Sequence, residues 1–260
     1  MKSVVGIFNS FTDAKRAVAM LRSLGLSENR ISVLAPGTSE DTLEASLLTT
    51  ETEQPGMGRA MGSAVGGAVG IASGATLGAA AATILVPGVG PVVAFGLMGA
   101  VLLGGGGATV GAVAGGALEE GITQGLPCDE LYVYEDALRR GRSVVIAVVE
   151  EDAMAEQART ELARAGAESV DAAREEWWIG LRDAEEEHYV NAGGAFKIDE
   201  ATYRLGFEAA LHPDRRERSY DEAAAKVAEK YGAAAETPAF GQGYERGRRY
   251  RGYITEIYKA

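Results

Sequence analysis

Two histidines, at positions 188 and 212, are among the scarcest chemistry-bearing residues of the 260-residue chain, and each has a glutamate within one helical turn. Glu185-x-x-His188 puts both side chains on one helical face, as di-iron carboxylate bundles require, and Glu208 with His212 forms a second pair four residues apart. Such bundles need two Glu-x-x-His motifs and two further helical glutamates, and this chain supplies one motif. In "AEEEHYV" the spacing therefore reads as a solvated acidic face, and no metal is expected. Cys128 is the sole cysteine, which excludes an internal disulfide and a thiolate cluster within one copy. The string "GGGGATVGAV" lacks the GK[ST] ending of a phosphate loop, and no Ser-His-Asp constellation is visible. Arg246, Arg248, Arg249 and Arg251, interleaved with Tyr244, Tyr250 and Tyr253, are of the types that grip RNA or anionic headgroups. A net charge of −12 argues against a general nucleic-acid binder, and an unstructured tail pairing with the acidic body is the expectation. These patterns yield no catalytic residue and no cofactor.

The elements that must carry such residues read most clearly in the first 172 positions. "SVVGIF" is β-branched and aromatic, and Ser10 with Asp13 three residues later is a variant of the capping box. Ala14, Ala17, Val18, Leu21 and Leu24 then recur at three- and four-residue steps, with Gly25 at the left-handed end of that helix. "RISVLAP" is a second strand, and residues 42–55 are a polar, threonine-rich linker. Beyond residue 125, "CDELYVYEDALRRG" is a short helix with Leu131, Tyr134 and Leu138 on one side and Gly141 as terminator. "SVVIAVV" is an apolar strand of the buried kind. A third helix at 153–165 turns Ala155, Ala158 and Leu162 inward, and "ESVDAA" follows as a last strand. Neither half has strands enough to cover its helices, so together they make one α+β sandwich with residues 56–125 inserted.

These phrases carry a resemblance. "VVGIFNSFTDAKRAVAMLRSLGLSENRISVLAP" and "GLPCDELYVYEDALRRGRSVVIAVVEEDAMAEQARTELARAGAESVD" resemble the two halves of the general stress protein 17M-like domain, over about residues 3–172. The resemblance implies a ferredoxin-like α+β module split by a glycine-rich apolar segment, a bacterial stress-associated role, and no catalytic residues to carry over.

Between the halves, residues 60–118 hold no Asp, Glu, Lys, Arg or His. Pro87, Gly88, Gly90 and Pro91 form the turn that cuts this stretch into two 27-residue runs, 60–86 and 92–118. As helices, each would be roughly 40 Å long against a hydrocarbon thickness of about 30 Å. Gly62, Gly66, Gly70, Gly74 and Gly78 recur every four residues; Gly96 and Gly104 belong to a small-residue row in the second run, with Gly107, Gly111 and Gly115 beside it. Such rows let helix backbones approach closely, as in a glycine zipper. The pattern predicts an antiparallel apolar helical hairpin that either inserts in or lies on a membrane, or is buried between subunits of an oligomer.

From Arg174 the composition turns charged and tyrosine-rich, and helices are expected in "EEWWIGLRDAEEEHYV", "YRLGFEAALHPD" and "SYDEAAAKVAEKY", followed by an irregular tail in "GYERGRRYRGY". Trp177 and Trp178 are expected to pack against the α+β domain, with a place at a lipid interface as the alternative. The domain plan is thus 1–55 and 126–173 for the two halves, 56–125 for the hairpin and 174–260 for a charged helical extension. The expected function is that of a non-enzymatic, stress-associated membrane anchor or scaffold. It would be homo-oligomeric, with the α+β domain and C-terminus on the cytoplasmic side of the cytoplasmic membrane, since "MKSVVGIFNSF" is not a secretory signal. Its partners would be itself, a bilayer or an apolar protein partner within a larger complex, and no nucleic acid. The alternative is a soluble assembly subunit whose hairpins bundle into a stalk or tube within a larger complex, and a metal-binding protein using the C-terminal helices is a third, weaker reading.

Overall fold

A computed structural model describes residues 2–37, 81–86, 89–96, 128–216 and 218–257. Strand β1 (Lys2–Phe8) leads to Ser10, whose extended backbone and Oγ, accepting from the Asp13 N–H at 3.1 Å, start helix α1 (Phe11–Ser23). Ala14, Ala17, Val18 and Leu21 are the buried stripe of α1, and Gly25 at φ +91° ends the turn after it. Strand β2 (Ile31–Pro36) follows. Later in the chain come helix α2 (Leu131–Arg139), strand β5 (Ser143–Val149) and helix α3 (Asp152–Arg164). Leu131, Tyr134 and Leu138 are buried, as their spacing on one side of α2 predicts.

All seven residues of β5 are buried, because it lies between β1 and β2 in the sheet. Both neighbours are antiparallel to β5, with Val5 opposite Ile146 and Val33 opposite Val145. β1 and β2 are therefore parallel to each other with α1 as their crossover, a split βαβ arrangement. Val145, Ala147 and Val149 face a core shared with Val4, Phe8, Val33 and the inner sides of α1 and α3. The Arg16 guanidinium donates to the Ala165 carbonyl at 2.9 Å, satisfying an orphan acceptor at the end of α3.

The central stretch departs from expectation. Ala81–Val86 is strand β3 and Gly90–Gly96 is strand β4, and they extend the sheet to five strands in the order β1-β5-β2-β4-β3. Ser32 opposes Gly96, Leu34 opposes Ala94, and Ile84 opposes Val92. The helical reading of 60–86 and 92–118 is thus wrong at residues 81–86 and 92–96. Two local causes favour strands. "ATILV" and "PVVAF" are rich in β-branched and aromatic residues, and β2 otherwise presents an unpaired edge. Of the predicted turn residues, Gly90, at φ +100°, and Pro91 follow a reversal closed by the Val89 N–H on the Val86 carbonyl at 3.0 Å. It joins strands rather than helices, and Gly90 and Pro91 already belong to β4. The rest of the predicted hairpin, 56–80 and 97–125, lies outside the described residues.

A second correction concerns "ESVDAA". Glu168 makes a single bridge to Ile7 on the outer side of β1, and the chain enters helix α4 (Val170–Asn191) two residues later. The "VDAAREEWW" run has few strand formers and a continuous helical alternative, so the strand stops at one residue. Helices α5 (Phe196–Ala210), α6 (Tyr220–Tyr231) and α7 (Pro238–Ile257) complete the chain. Ser219 and Glu222 form a full capping box before α6. The expected irregular tail is instead the 20-residue helix α7. Thr237 caps it through Oγ1 to the Phe240 N–H at 3.2 Å, and Pro238 occupies the first helical position. The protein is mixed α and β, with an antiparallel sheet and seven α-helices among the described residues. It divides into two compact units, residues 1–126 with 134–170, and residues 127–133 with 171–260.

Candidate functional site

Of the glycines expected to pack helices, Gly62, Gly66, Gly70, Gly74, Gly78, Gly104, Gly107, Gly111 and Gly115 lie outside the described residues. Gly96 is placed, at the end of β4 opposite Ser32. Its role is therefore sheet pairing, since a four-residue small-side-chain row has no meaning on a strand of period two. Pro87 and Gly88 also lie outside the described residues.

Glycines do seam two helices together, but in the second unit. A Cβ on Gly206 of α5 would stand 2.1 Å from the Phe240 carbonyl oxygen, and one on Gly243 of α7 would stand 1.9 Å from the Tyr203 carbonyl oxygen. Gly247 faces the Phe207 carbonyl oxygen at 2.3 Å in the same way. The relation is reciprocal: Tyr203-x-x-Gly206-Phe207 and Phe240-x-x-Gly243-Tyr244 are the same aromatic-x-x-Gly-aromatic element on two helices. Each glycine receives the carbonyl three residues upstream of its counterpart. Backbones this close allow Cα–H···O contacts, and the flanking rings close over the seam. Phe207, Phe240 and Tyr244 are each fully buried. The first of these elements and the Gly243–Gly247 pair were visible in the sequence. Their spacing is that of a helix stripe once glycine is counted as an interior residue.

Charge is threaded through this unit. Glu185 is 3% exposed, so the solvated acidic face expected for it is wrong. Arg246 binds it through two nitrogens, Nε to Oε2 at 2.9 Å and an η nitrogen to Oε1 at 2.6 Å, and the Tyr203 hydroxyl donates to Oε2 at 2.7 Å. Three charge-assisted bonds offset the desolvation of that carboxylate. They also hold the Arg246 guanidinium above its ordinary pKa, while burial pushes the Tyr203 phenol up. His188, three residues on, is exposed. Glu208 accepts from Arg204 Nε at 2.7 Å, and His212 instead has Nε2 3.3 Å from Asp129 and Nδ1 accepting the Asp214 N–H at 3.1 Å. Neither Glu–His pair meets in one site. Among the described residues no group of three or more His, Cys, Asp or Glu is placed to hold a metal.

Trp177 and Trp178 are 2% exposed. The nearest ring partner of Trp177 is Tyr132, within the 126–173 segment expected for the α+β domain, and the remaining partners belong to α4, α5 and α7. Trp177 meets Tyr132 in a tilted contact at 4.7 Å, and Phe207 at 5.8 Å and Tyr250 at 6.2 Å edge-on. Trp178 Nε1 donates to Glu200 at 3.1 Å, and Arg182 grips the same carboxylate at 2.7 and 2.8 Å. Arg182 first, opposed by burial and aided by Trp178, holds the Glu200 carboxyl below its ordinary value. Arg215, 4% exposed, donates to the Ala209 carbonyl at 2.7 Å and lies over the Tyr231 ring. These carboxylates are held by cations, phenols or an indole N–H, an arrangement that fixes helices to one another.

Among the described residues no helix is long and apolar enough to cross a membrane. No protein-family model, curated protein or solved structure matches the chain.

Proposed function

We propose that the chain is a non-enzymatic, stress-associated scaffold or anchor of the general stress protein 17M-like kind, which associates with itself and with a membrane through its charge-free residues. The observation that carries this reading is compositional: 59 consecutive residues without charge in a chain of net charge −12. A ferredoxin-like first unit is supported by the split βαβ of β1, α1 and β2 around β5, with α1 and α3 sharing one core and Glu168 continuing the order beyond β1.

Sheet topology narrows how attachment works. Strands β2, β4, β3 and β5 lie in one sheet, so residues 37–81 and residues 96–143 each begin and end on the same side of any bilayer. Each of these segments contains one uncharged run of about 20 residues, the length of a single crossing. One crossing would put the two ends on opposite sides, which the strand pairings forbid. The reading therefore has the runs lying on or dipping into a bilayer, on the cytoplasmic side. The tie to the sheet also favours a second reading, a soluble subunit whose charge-free runs pack between copies. Alkaline carbonate extraction separates the two: a lipid-embedded protein stays in the pellet and a soluble assembly is released. Gly70→Leu with Gly111→Leu should lower the oligomer mass under either reading, and an unchanged mass would remove the glycine rows from it.

A further inference from the structure

We infer that the outer edge of β3 is a homodimerisation surface, where a second copy of the chain adds its own β3 antiparallel and fuses two five-stranded sheets into one. The inference deepens the self-association just proposed and rests on that reading.

The phase of the edge follows from one hydrogen bond. The Gly37 N–H donates to the Pro91 carbonyl at 2.6 Å, so Pro91 turns its backbone oxygen toward the β2 side of β4. Backbone groups alternate sides along an antiparallel strand, so Val93 also turns toward β2, and Val92 and Ala94 turn toward β3. Ala82 opposes Ala94 and Ile84 opposes Val92. Those two residues of β3 therefore bond inward, and Ala81, Thr83 and Leu85 direct their N–H and C=O groups outward. Among the described residues no segment pairs with that side.

The outward set is self-complementary. Placed antiparallel about a twofold axis at Thr83, it pairs Thr83 with its copy and Ala81 with the copy's Leu85, making about six backbone hydrogen bonds. The two edges of the sheet differ in the devices that block such addition. β1 begins with Lys2, ion-paired to Asp152, and its outer side is bridged at Ile7 by Glu168. "AATILV" has no charge, no proline and high strand propensity. A second copy is the partner that meets this edge without opposing a charge to it.

The test uses the full chain. Light scattering should give the wild type a mass of at least two copies, with the Ala81, Thr83 and Leu85 amides protected from hydrogen exchange in the associated state and losing protection on dilution. Thr83→Pro removes an outward N–H while leaving inward bonds intact, and should lower the mass at least twofold with an unchanged circular dichroism spectrum. Thr83→Lys should do the same by placing like charges opposite one another, and mixing Thr83→Lys with Thr83→Glu chains should restore pairing. That rescue would not follow from a merely destabilised strand. Full mass for both Thr83→Pro and Thr83→Lys, or equal amide protection in a dilute monomer, would overturn the inference. If Gly70→Leu with Gly111→Leu lowers the mass and neither Thr83 variant does, self-association stands and the edge is not its site; a wild type that is monomeric throughout ends both.

Discussion

The two units solve the same problem with different chemistry. In the first, β5 and the inner faces of α1 and α3 exclude water with Val, Ala, Leu and Phe, ion pairs such as Arg30–Glu150 stay on the surface, and the buried Glu135 of α2 stands outside that cluster. In the second, nearly every large interior group is aromatic, glycine brings α5 and α7 into backbone contact, and carboxylates such as Glu185 are buried with their cations. The aliphatic cluster tolerates repacking and holds no titratable side chain. A core of rings, glycines and ion pairs has little freedom to adjust, and depends on protonation.

Removing one partner of the buried pair should break the second unit most severely. Glu185→Ala leaves Arg246 without its counter-ion and should cost about 3 kcal/mol or more. Trp177 and Trp178 are the only tryptophans, so their fluorescence reports this unit alone; a shift under 1 kcal/mol would show that water replaces the carboxylate. In the first unit, Leu21→Ala should cost about 2–4 kcal/mol through its cavity, read from hydrogen exchange of the β5 amides, while leaving the tryptophan emission maximum of the folded protein in place.

A sharper contrast lies within α7. Gly243→Ala drives a methyl group into the Tyr203 carbonyl and should destabilise by about 1–3 kcal/mol. Gly252, in the same helix, has open space around it. Its change to Ala should stabilise by about 0.5–1 kcal/mol, so thermal melts of the two variants must move in opposite directions.

The smallest effects are those of single titrations. Burial first, and then Arg215, lowers the His212 pKa against the pull of Asp129 and Asp214. The unfolded chain therefore binds that proton more readily, and stability declines as pH falls below the ordinary histidine value of about 6.5. Glu200, depressed by Arg182, adds a second decline below its ordinary value of about 4.5. Acid titration should thus release the tryptophans before it disrupts the sheet, and a sheet that melts first would reverse the comparison.

The first unit was legible to the extent that its signals are local. The Ser10 cap, the Ala and Leu stripe of α1, and the two-faced burial of β5 all follow from period and composition. What misled was a run whose residues suit two states. "ATILV" and "PVVAF" are apolar enough for a helix in lipid and β-branched enough for a strand, and the open edge of β2, a long-range fact, decided between them. The second unit hid for a related reason. Counting Gly206, Gly243 and Gly247 as helix breakers conceals that they are the interior, while Thr237-Pro238 would have announced α7 in advance. Glu185 looked solvated because the neighbouring "EEE" is charged, and only the three-dimensional position of Arg246 shows otherwise.

The place of β5 in the sheet has a further consequence, in time. It is the strand between β1 and β2, yet 107 positions separate Pro36 from Ser143. At about 5–20 residues per second of synthesis, the first two strands wait roughly 5–20 s for the one that joins them. Throughout that interval the ribosome is extruding the most apolar part of the chain, and whatever shields the nascent polypeptide during those seconds decides how much of it reaches the native state.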